Sequence, residues 1–173
     1  MKIANAVLIP LVLAACSPAP GDSTGPQAAA APPSPYAFQV NLTLTPRAAD
    51  KLAATKERVT VAAMYFGAPT SEDAPGVDDH MMKVPLGEDL VEVDPVSAVV
   101  TAPGTGFDAQ FLSSVKSDPE VLVNVYSARK THENNLLSCG IYQGPVAMAQ
   151  KKPVDIRCDL IYGEDGEPLP PPQ

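Results

Sequence analysis

Aromatic side chains are scarce in this chain of 173 residues, which has no tryptophan, four phenylalanines and five tyrosines. Valine, leucine, isoleucine, alanine and methionine are plentiful by comparison, and these are residue types that proteins commonly bury. A core must therefore be built mainly from aliphatic side chains. Tyr36 to Gly163 is a stretch of ordinary size for one domain, and we predict a single domain over 36–163.

Positive charge is also in short supply. Twelve lysines and arginines stand against 20 aspartates and glutamates, which gives a formal net charge of −8 at pH 7. Nucleic acids and anionic lipid headgroups are bound by basic surfaces, so this balance argues against both as partners. It favours solubility and basic ligands.

Histidine occurs only twice, as His80 and His132, and familiar catalytic motifs are absent from the sequence. The chain has no GxSxG nucleophile elbow, no HExxH motif, no glycine-rich phosphate loop and no CxxC pair. Two histidines also leave few options for acid–base catalysis. We therefore predict a protein that binds rather than catalyses, and we predict no cofactor.

Carboxylates are the one potentially catalytic group that is abundant. Eight of them lie between residues 72 and 94: Glu72, Asp73, Asp78, Asp79, Glu88, Asp89, Glu92 and Asp94. Since a pair of carboxylates serves most glycoside hydrolases, an envelope hydrolase is the alternative function. Such acidic runs are more often solvated, and the acids of residues 90–94 also suit an edge strand that must resist sheet-to-sheet association.

A second alternative is a periplasmic metal-binding protein. Five adjacent residues offer oxygen, nitrogen and sulfur ligands: Asp78, Asp79, His80, Met81 and Met82. Thioethers with imidazole suit Cu(I), and carboxylates suit harder ions. Adjacent residues of an extended segment do not all face one ion, however, and His132 is the only other histidine. The favoured interpretation is an acidic surface loop followed by methionines that pack into a sheet.

The amino terminus lacks a hydrophobic run long enough to span a membrane. Lys2 precedes apolar residues 3–13, whereas a transmembrane helix needs about 20 residues. The segment Leu13-Ala14-Ala15-Cys16 resembles the lipobox of bacterial lipoproteins. The resemblance implies that residues 1–15 are a removed signal peptide, that Cys16 carries the acyl chains of a membrane anchor, and that Ser17 directs the protein to the outer membrane, facing the periplasm. An ordinary cleaved signal with an incidental cysteine is the alternative.

Both ends of the mature chain have compositions typical of disorder. Residues 16–35 are rich in proline, alanine, serine and glycine, with almost nothing to bury, and we predict a disordered tether there. Residues 164–173, EDGEPLPPPQ, are predicted to form a solvated tail.

Hydrophobic periodicity predicts a mostly β domain. The period-two alternation of Phe38, Val40, Leu42 and Leu44 indicates a strand with one wet face, and residues 58–66, apolar on both parities, indicate a central strand. Thr45 and Pro46 predict the start of a short helix over 47–55, and Gly144-Pro145 the start of a second helical piece. The remaining strands are predicted at 81–84, 90–93, 96–101, 121–125, 136–142 and 154–162. This pattern favours an antiparallel β-sandwich of the immunoglobulin or transthyretin type, with a small β-barrel as the second choice.

Cys139 and Cys158 remain once Cys16 is assigned to the anchor. Alternation places Leu137, Cys139 and Ile141 on one face of their strand. It places Ile156, Cys158 and Leu160 on one face of theirs, so both thiols are predicted to point toward the core. In an oxidising compartment such a pair is expected to form a disulfide. Two separate buried thiols are the alternative.

The polar loop at residues 127–135 is the strongest candidate for partner binding. It carries several positive and hydrogen-bonding side chains in an otherwise acidic protein: Arg129, Lys130, His132, Asn134 and Asn135. Loops on a rigid scaffold often carry recognition residues, and this one suits a carboxylate-rich protein or glycan. A solvated hairpin tip is the alternative. The sequence thus predicts a lipid-anchored interaction module of the cell envelope, an accessory or protective protein.

Overall fold

The computed structural model describes residues 34–163 and 165–172. The predicted signal peptide, Cys16 and most of the predicted tether lie outside these residues. No helix within the described ranges combines the length and the apolar character that a membrane span requires. The elements are β1 (Phe38–Leu44), α1 (Pro46–Thr55), β2 (Val59–Gly67), β3 (Val84–Val93), β4 (Ala98–Ala102), a 3-10 turn (Leu112–Ser114), β5 (Glu120–Ser127), β6 (Leu137–Cys139), β7 (Tyr142–Pro145), α2 (Val146–Ala149) and β8 (Val154–Leu160).

The strands form two four-stranded sheets that enclose one hydrophobic core. Sheet A has the order β4-β1-β8-β6, and sheet B has the order β3-β2-β5-β7. Alternate residues of each strand point inward, so Val40 and Leu42 of sheet A share the core with Val61 and Val123 of sheet B. This arrangement confirms the predicted β-sandwich. Neither sheet closes on itself among the described residues, which rules against the barrel.

One strand pair departs from the antiparallel prediction. β1 pairs with β4 antiparallel but with β8 parallel, from Val40 opposite Val154 to Leu44 opposite Cys158. Parallel neighbours need a long crossover connection, and here nearly the whole domain supplies it. Short-range alternation in the sequence carries no information about that pairing.

Helix α1 begins and ends with recognisable local chemistry. The Thr45 hydroxyl accepts the N–H of Ala48 and donates to the Asp159 carboxylate, and Pro46 occupies the first turn, as predicted. Lys56 ends the helix in a left-handed conformation with φ of 55°. The Arg47 guanidinium also binds Asp159, and this contact holds the pKa of the Asp159 carboxyl well below its usual range. The helix is therefore tied to the end of β8.

β3 is one strand where the sequence predicts two weak ones, at 81–84 and 90–93. Its register against β2 shifts between Met64 and Phe66, and Gly87 within it has φ of 95°. A bulge of this kind moves the inward side chains to the other parity, so Leu86 and Val91 both face the core side despite their odd spacing. The break in alternation explains the split prediction.

The predicted strand at 136–142 is in fact two strands in different sheets. β6 lies in sheet A and β7 in sheet B, and the chain crosses between them at Gly140 and Ile141. The crossing leaves Ile141 68% exposed, so its predicted place beside Cys139 in the core is wrong.

The predicted disulfide is confirmed. Cys139 and Cys158 face each other directly across β6 and β8, with a Cα–Cα distance of 4.1 Å. Cys158 is fully buried and Cys139 is partly buried. In the chain-entropy model, closing this short loop contributes about 3 kcal/mol to the free energy of unfolding. The bond links the edge strand β6 covalently to its neighbour β8 in sheet A.

Hydrogen bonds attach residues on both sides of the predicted domain, 36–163, to the rest of the chain. At the start, the Ser34 hydroxyl donates to the Gly104 carbonyl, and the Gln150 amide donates to the Pro35 carbonyl. At the end, the Leu169 N–H donates to the Ile161 carbonyl, after a turn in which Gly166 has φ of 79°. Through this turn the chain returns to the residue that follows β8.

Candidate functional site

The two outward sheet faces differ in chemistry. Sheet A presents Gln39, Asn41, Thr43, Asp155 and Arg157 to solvent along β1 and β8. Sheet B presents Met64, Phe66 and Leu122 at its centre, all partly exposed, and Leu90, 58% exposed, on its edge strand. A sheet face in water is normally polar. The outward side of sheet B, which we call the apolar face, is therefore the candidate site.

Strand register places the side chains of the apolar face in rows. Met64 is paired with Glu88 of β3 and with Leu122 of β5, and Leu122 is paired with Gln143 of β7. The next row joins Pro85, Phe66 and Glu120 in the same way. The centre is thus apolar, and acidic side chains stand on both sides of it.

A groove of about 480 Å³ lies over this centre. Met64, Phe66 and Leu122 line it together with Met81 and Pro85, and Lys83, Glu88 and Gln143 add polar atoms. Both the size and the mainly apolar lining are typical of ligand sites. Methionine side chains adapt their shape to different ligands, which suits a recognition surface.

The predicted metal cluster forms a turn at one end of the apolar face. The Asp78 carboxylate accepts the N–H groups of His80 and Met81 at 3.0 and 2.8 Å, and these bonds lower the pKa of Asp78. Asp79, His80 and Met82 are exposed, and Met82 has φ of 52°. Within the described ranges, no group of three or more histidine, cysteine, aspartate or glutamate residues is arranged to hold a metal ion. The turn instead presents Met81 to the groove.

The predicted binding loop, residues 127–135, borders the opposite end of the apolar face. It connects β5 of sheet B with β6 of sheet A, so it is a crossing between sheets rather than a hairpin tip. The Arg129 guanidinium lies 5.7 Å from the centre of the Tyr126 ring, and Lys130 forms a 2.8 Å ion pair with Glu92 of β3. This contact raises the pKa of Lys130. The structure thus brings two predicted sites to the two ends of one surface.

The buried carboxylate of Glu57, a residue that the sequence did not mark as a candidate, holds that loop through hydrogen bonds. Its side chain is 1% exposed, and its carboxylate accepts the N–H groups of Arg58, Lys130, Thr131 and His132 and the Thr131 hydroxyl. Burial alone raises a carboxyl pKa, but these hydrogen bonds together outweigh it and lower the pKa of Glu57 to about 2.

Of the remaining polar residues of the loop, one forms hydrogen bonds within the loop and three are exposed. The Asn135 side chain accepts the N–H groups of Ser127 and Leu137 and donates to the Leu137 carbonyl. Its hydrogen-bonding groups are therefore engaged within the loop. Arg129, His132 and Asn134 are exposed and face solvent beside the apolar face.

The carboxylates considered for hydrolysis are spread over different environments. Asp89 is 5% exposed and points inward, whereas Glu88 and Glu92 stand outward next to Met64 and Thr60. β3 is an edge strand, as predicted from its acids. Asp94 forms a 2.9 Å ion pair with Arg58. The structure therefore gives Asp89 a role in packing and places Glu88 on the apolar face.

Comparison with protein-family models, with curated proteins and with solved structures finds no match to this chain. No relative assigns a role to the apolar face. What the face binds has to follow from its own chemistry.

Proposed function

We propose that this chain is an outer-membrane lipoprotein, anchored through acyl chains on Cys16 and facing the periplasm, whose β-sandwich binds an envelope protein or glycan without catalysis. The observation that carries the binding role is the difference between the two outward faces: that of sheet B is apolar at its centre, whereas that of sheet A is mainly polar. Exposed apolar patches rimmed by polar residues mark interaction sites in soluble domains.

The layout of the apolar face matches that of a recognition surface. Its centre is apolar around Met64 and Leu122, and its rim is charged, with Glu88 on one side and the Lys130–Glu92 ion pair at one end. Interfaces commonly have this arrangement of a dry centre and a polar rim. Met64 and Leu122 supply most of the contact area in this proposal, and the loop at 127–135 adds selectivity.

Two observations support the envelope location. The segment Leu13-Ala14-Ala15-Cys16 resembles a lipobox, and its cysteine is followed by a proline-rich stretch that suits a spacer. Cys139 and Cys158 form a disulfide, which is typical of proteins that fold in an oxidising compartment. An acyl anchor would hold the apolar face within reach of other envelope components.

Site-specific photo-crosslinking in bacterial cells tests the binding face. A photoreactive amino acid at Leu90 of β3 or at Met81 of the groove, each 58% exposed, is expected to give discrete adducts. The matched control is Val99 on the outer face of sheet A, which is 59% exposed. Adducts of equal strength from Val99, or none from Leu90 and Met81, would contradict the assignment of the face.

Intact mass and fractionation test the anchor. The mature protein extracted from membranes is expected to begin at Cys16 and to carry the added mass of acyl chains. The Cys16→Ser variant is expected to lose that mass and to leave the membrane fraction, because the lipid contributes about 0.8 kcal/mol per buried CH₂. A mature chain that carries no lipid and begins at another residue would refute the anchor.

A further inference from the structure

We infer that the groove of the apolar face binds extended cationic peptide segments in which an apolar residue has a lysine or arginine two positions away on each side. This inference rests on the proposed binding role of the face and names the chemistry of its partner. Three features of the described residues carry it: two acids beside the groove, the apolar floor between them, and the spacing that the sheet imposes.

The acids are Glu88 on β3 and Glu120 on β5. Glu88 stands beside Met64 and Glu120 beside Phe66, so the two carboxylates flank the floor from opposite sides of β2. Within the described residues neither carboxylate forms a salt bridge, and Glu120 receives only a 3.4 Å contact from the Gln143 amide. Glu92, one row beyond Leu90, is already paired with Lys130. Glu88 and Glu120 are therefore the acids available to a ligand.

The floor provides the apolar contact. Met64 and Phe66 lie on β2 between the two acids, and Leu122 lies beside Met64 on β5; all three are partly exposed. The Lys83 ammonium already lies 5.6 Å from the centre of the Phe66 ring, which is a cation–π distance. The floor thus accepts both an aliphatic side chain and a neighbouring positive charge.

Sheet geometry sets the spacing of the ligand. Glu88 and Glu120 are two strands and one row apart, which corresponds to about 12 Å between their backbones. In an extended peptide, residues i, i+2 and i+4 point to the same side, and i and i+4 are about 13 Å apart. Cations at i and i+4 therefore reach the two carboxylates while the side chain at i+2 enters the groove.

The negative charge of the whole chain also favours a cationic ligand. The formal net charge is −8 at pH 7, so the surrounding field attracts a cationic segment. Lys83 is the cation that opposes it within the groove. Lys83→Gln is therefore expected to tighten binding, whereas Glu88→Gln or Glu120→Gln is expected to weaken it.

Calorimetric titration of the purified full chain with the peptide GGKSLSKGG tests the inference. The double change Glu88→Gln with Glu120→Gln is expected to weaken binding about tenfold, or about 1.4 kcal/mol, because it removes two solvent-exposed ion pairs that are each weak in water. Asp155→Asn, which removes one charge from the outer face of sheet A and is the control for each single change, is expected to leave binding unchanged. Leu122→Ala is expected to weaken binding, and its control Val99→Ala is not. Circular dichroism on each variant checks that it remains folded.

Three results would overturn the inference: no binding of GGKSLSKGG, equal binding of GGESLSEGG, or weaker binding by Lys83→Gln. Equal binding of GGESLSEGG would show that the groove does not select for positive charge, and weaker binding by Lys83→Gln would show that Lys83 does not oppose the ligand. If crosslinks from Leu90 and Met81 persist while the cationic peptide fails to bind, only the ligand class is wrong. If those crosslinks are also missing, the proposed binding function fails with it.

Discussion

Replacing Glu57 with glutamine is expected to lower the free energy of unfolding by about 4 kcal/mol, because it removes the charge of a buried acceptor and leaves its donors poorly paired. The carboxylate is 1% exposed and accepts five hydrogen bonds, three of them from the backbone of residues 130–132. Glutamine keeps the size of the side chain but offers one acceptor oxygen and an amide group that donates. Urea denaturation with an unchanged slope is the measurement.

Glu133→Gln is the matched control for this prediction. Glu133 lies in the same loop and is exposed, so its replacement is expected to change the free energy of unfolding by less than about 0.5 kcal/mol. Equal effects at positions 57 and 133 would mean that the hydrogen bonds to Glu57 do not hold the loop.

The same carboxylate makes stability depend on pH. The pKa of Glu57 is lowered from 4.5 to about 2, so the folded state favours the ionised form. Its contribution, about 3 kcal/mol, is fully present above the unfolded pKa and is lost as the pH falls toward the folded value of about 2. The Glu57→Gln variant is expected to lack this part of the acid sensitivity. An identical acid transition in both proteins would contradict the assignment.

Replacing Asp89 with alanine is expected to lower the free energy of unfolding by a similar amount, about 4 kcal/mol. The Asp89 carboxylate accepts the Tyr65 hydroxyl at 2.8 Å and the N–H groups of Gly104 and Gly106 at 2.6 and 2.8 Å, with Thr105 at 3.5 Å. Alanine leaves these buried donors without an acceptor. The loop at 103–106 then loses its attachment to the bulged part of β3.

Two further variants isolate this role of Asp89. Tyr65→Phe removes one donor and is expected to cost only about 1 kcal/mol, since the carboxylate keeps its backbone partners. Burial, with the adjacent Asp89, raises the pKa of Tyr65, so its hydroxyl remains a donor. Glu88→Ala, the neighbouring acid on the outward side, is expected to have little effect on stability. Thermal or urea unfolding that ranks Glu88→Ala with Asp89→Ala would refute the prediction.

Local sequence signals were sufficient to predict β1 and α1. The alternating apolar side chains of Phe38–Leu44 match the strand, and Thr45 caps the helix that follows. Prediction failed where the chain departs from a fixed period, at the bulge near Gly87 and at the crossing near Ile141. Both are points at which one residue changes the side to which all later side chains point.

The candidate site was only partly visible in the sequence. β2 is apolar on both parities and is a central strand of sheet B, as predicted, but sheet A covers just one of its sides. The other side, with Met64 and Phe66, forms the apolar face. The buried acids Glu57 and Asp89 escaped prediction because their donors come from distant loops; Glu57 and Lys130 are 73 residues apart.

The position of β1 between β4 and β8 has a kinetic consequence. Asn41 of β1 donates to Asp155 of β8 across 114 residues of chain, so sheet A requires contact between segments near the two ends of the domain. Proteins dominated by such distant contacts fold slowly, because loop closure must precede any gain from the contact. Until the last strand arrives, one side of β1 offers unpaired backbone groups to other chains. We therefore expect refolding to be slow, with aggregation most pronounced before β8 pairs with β1.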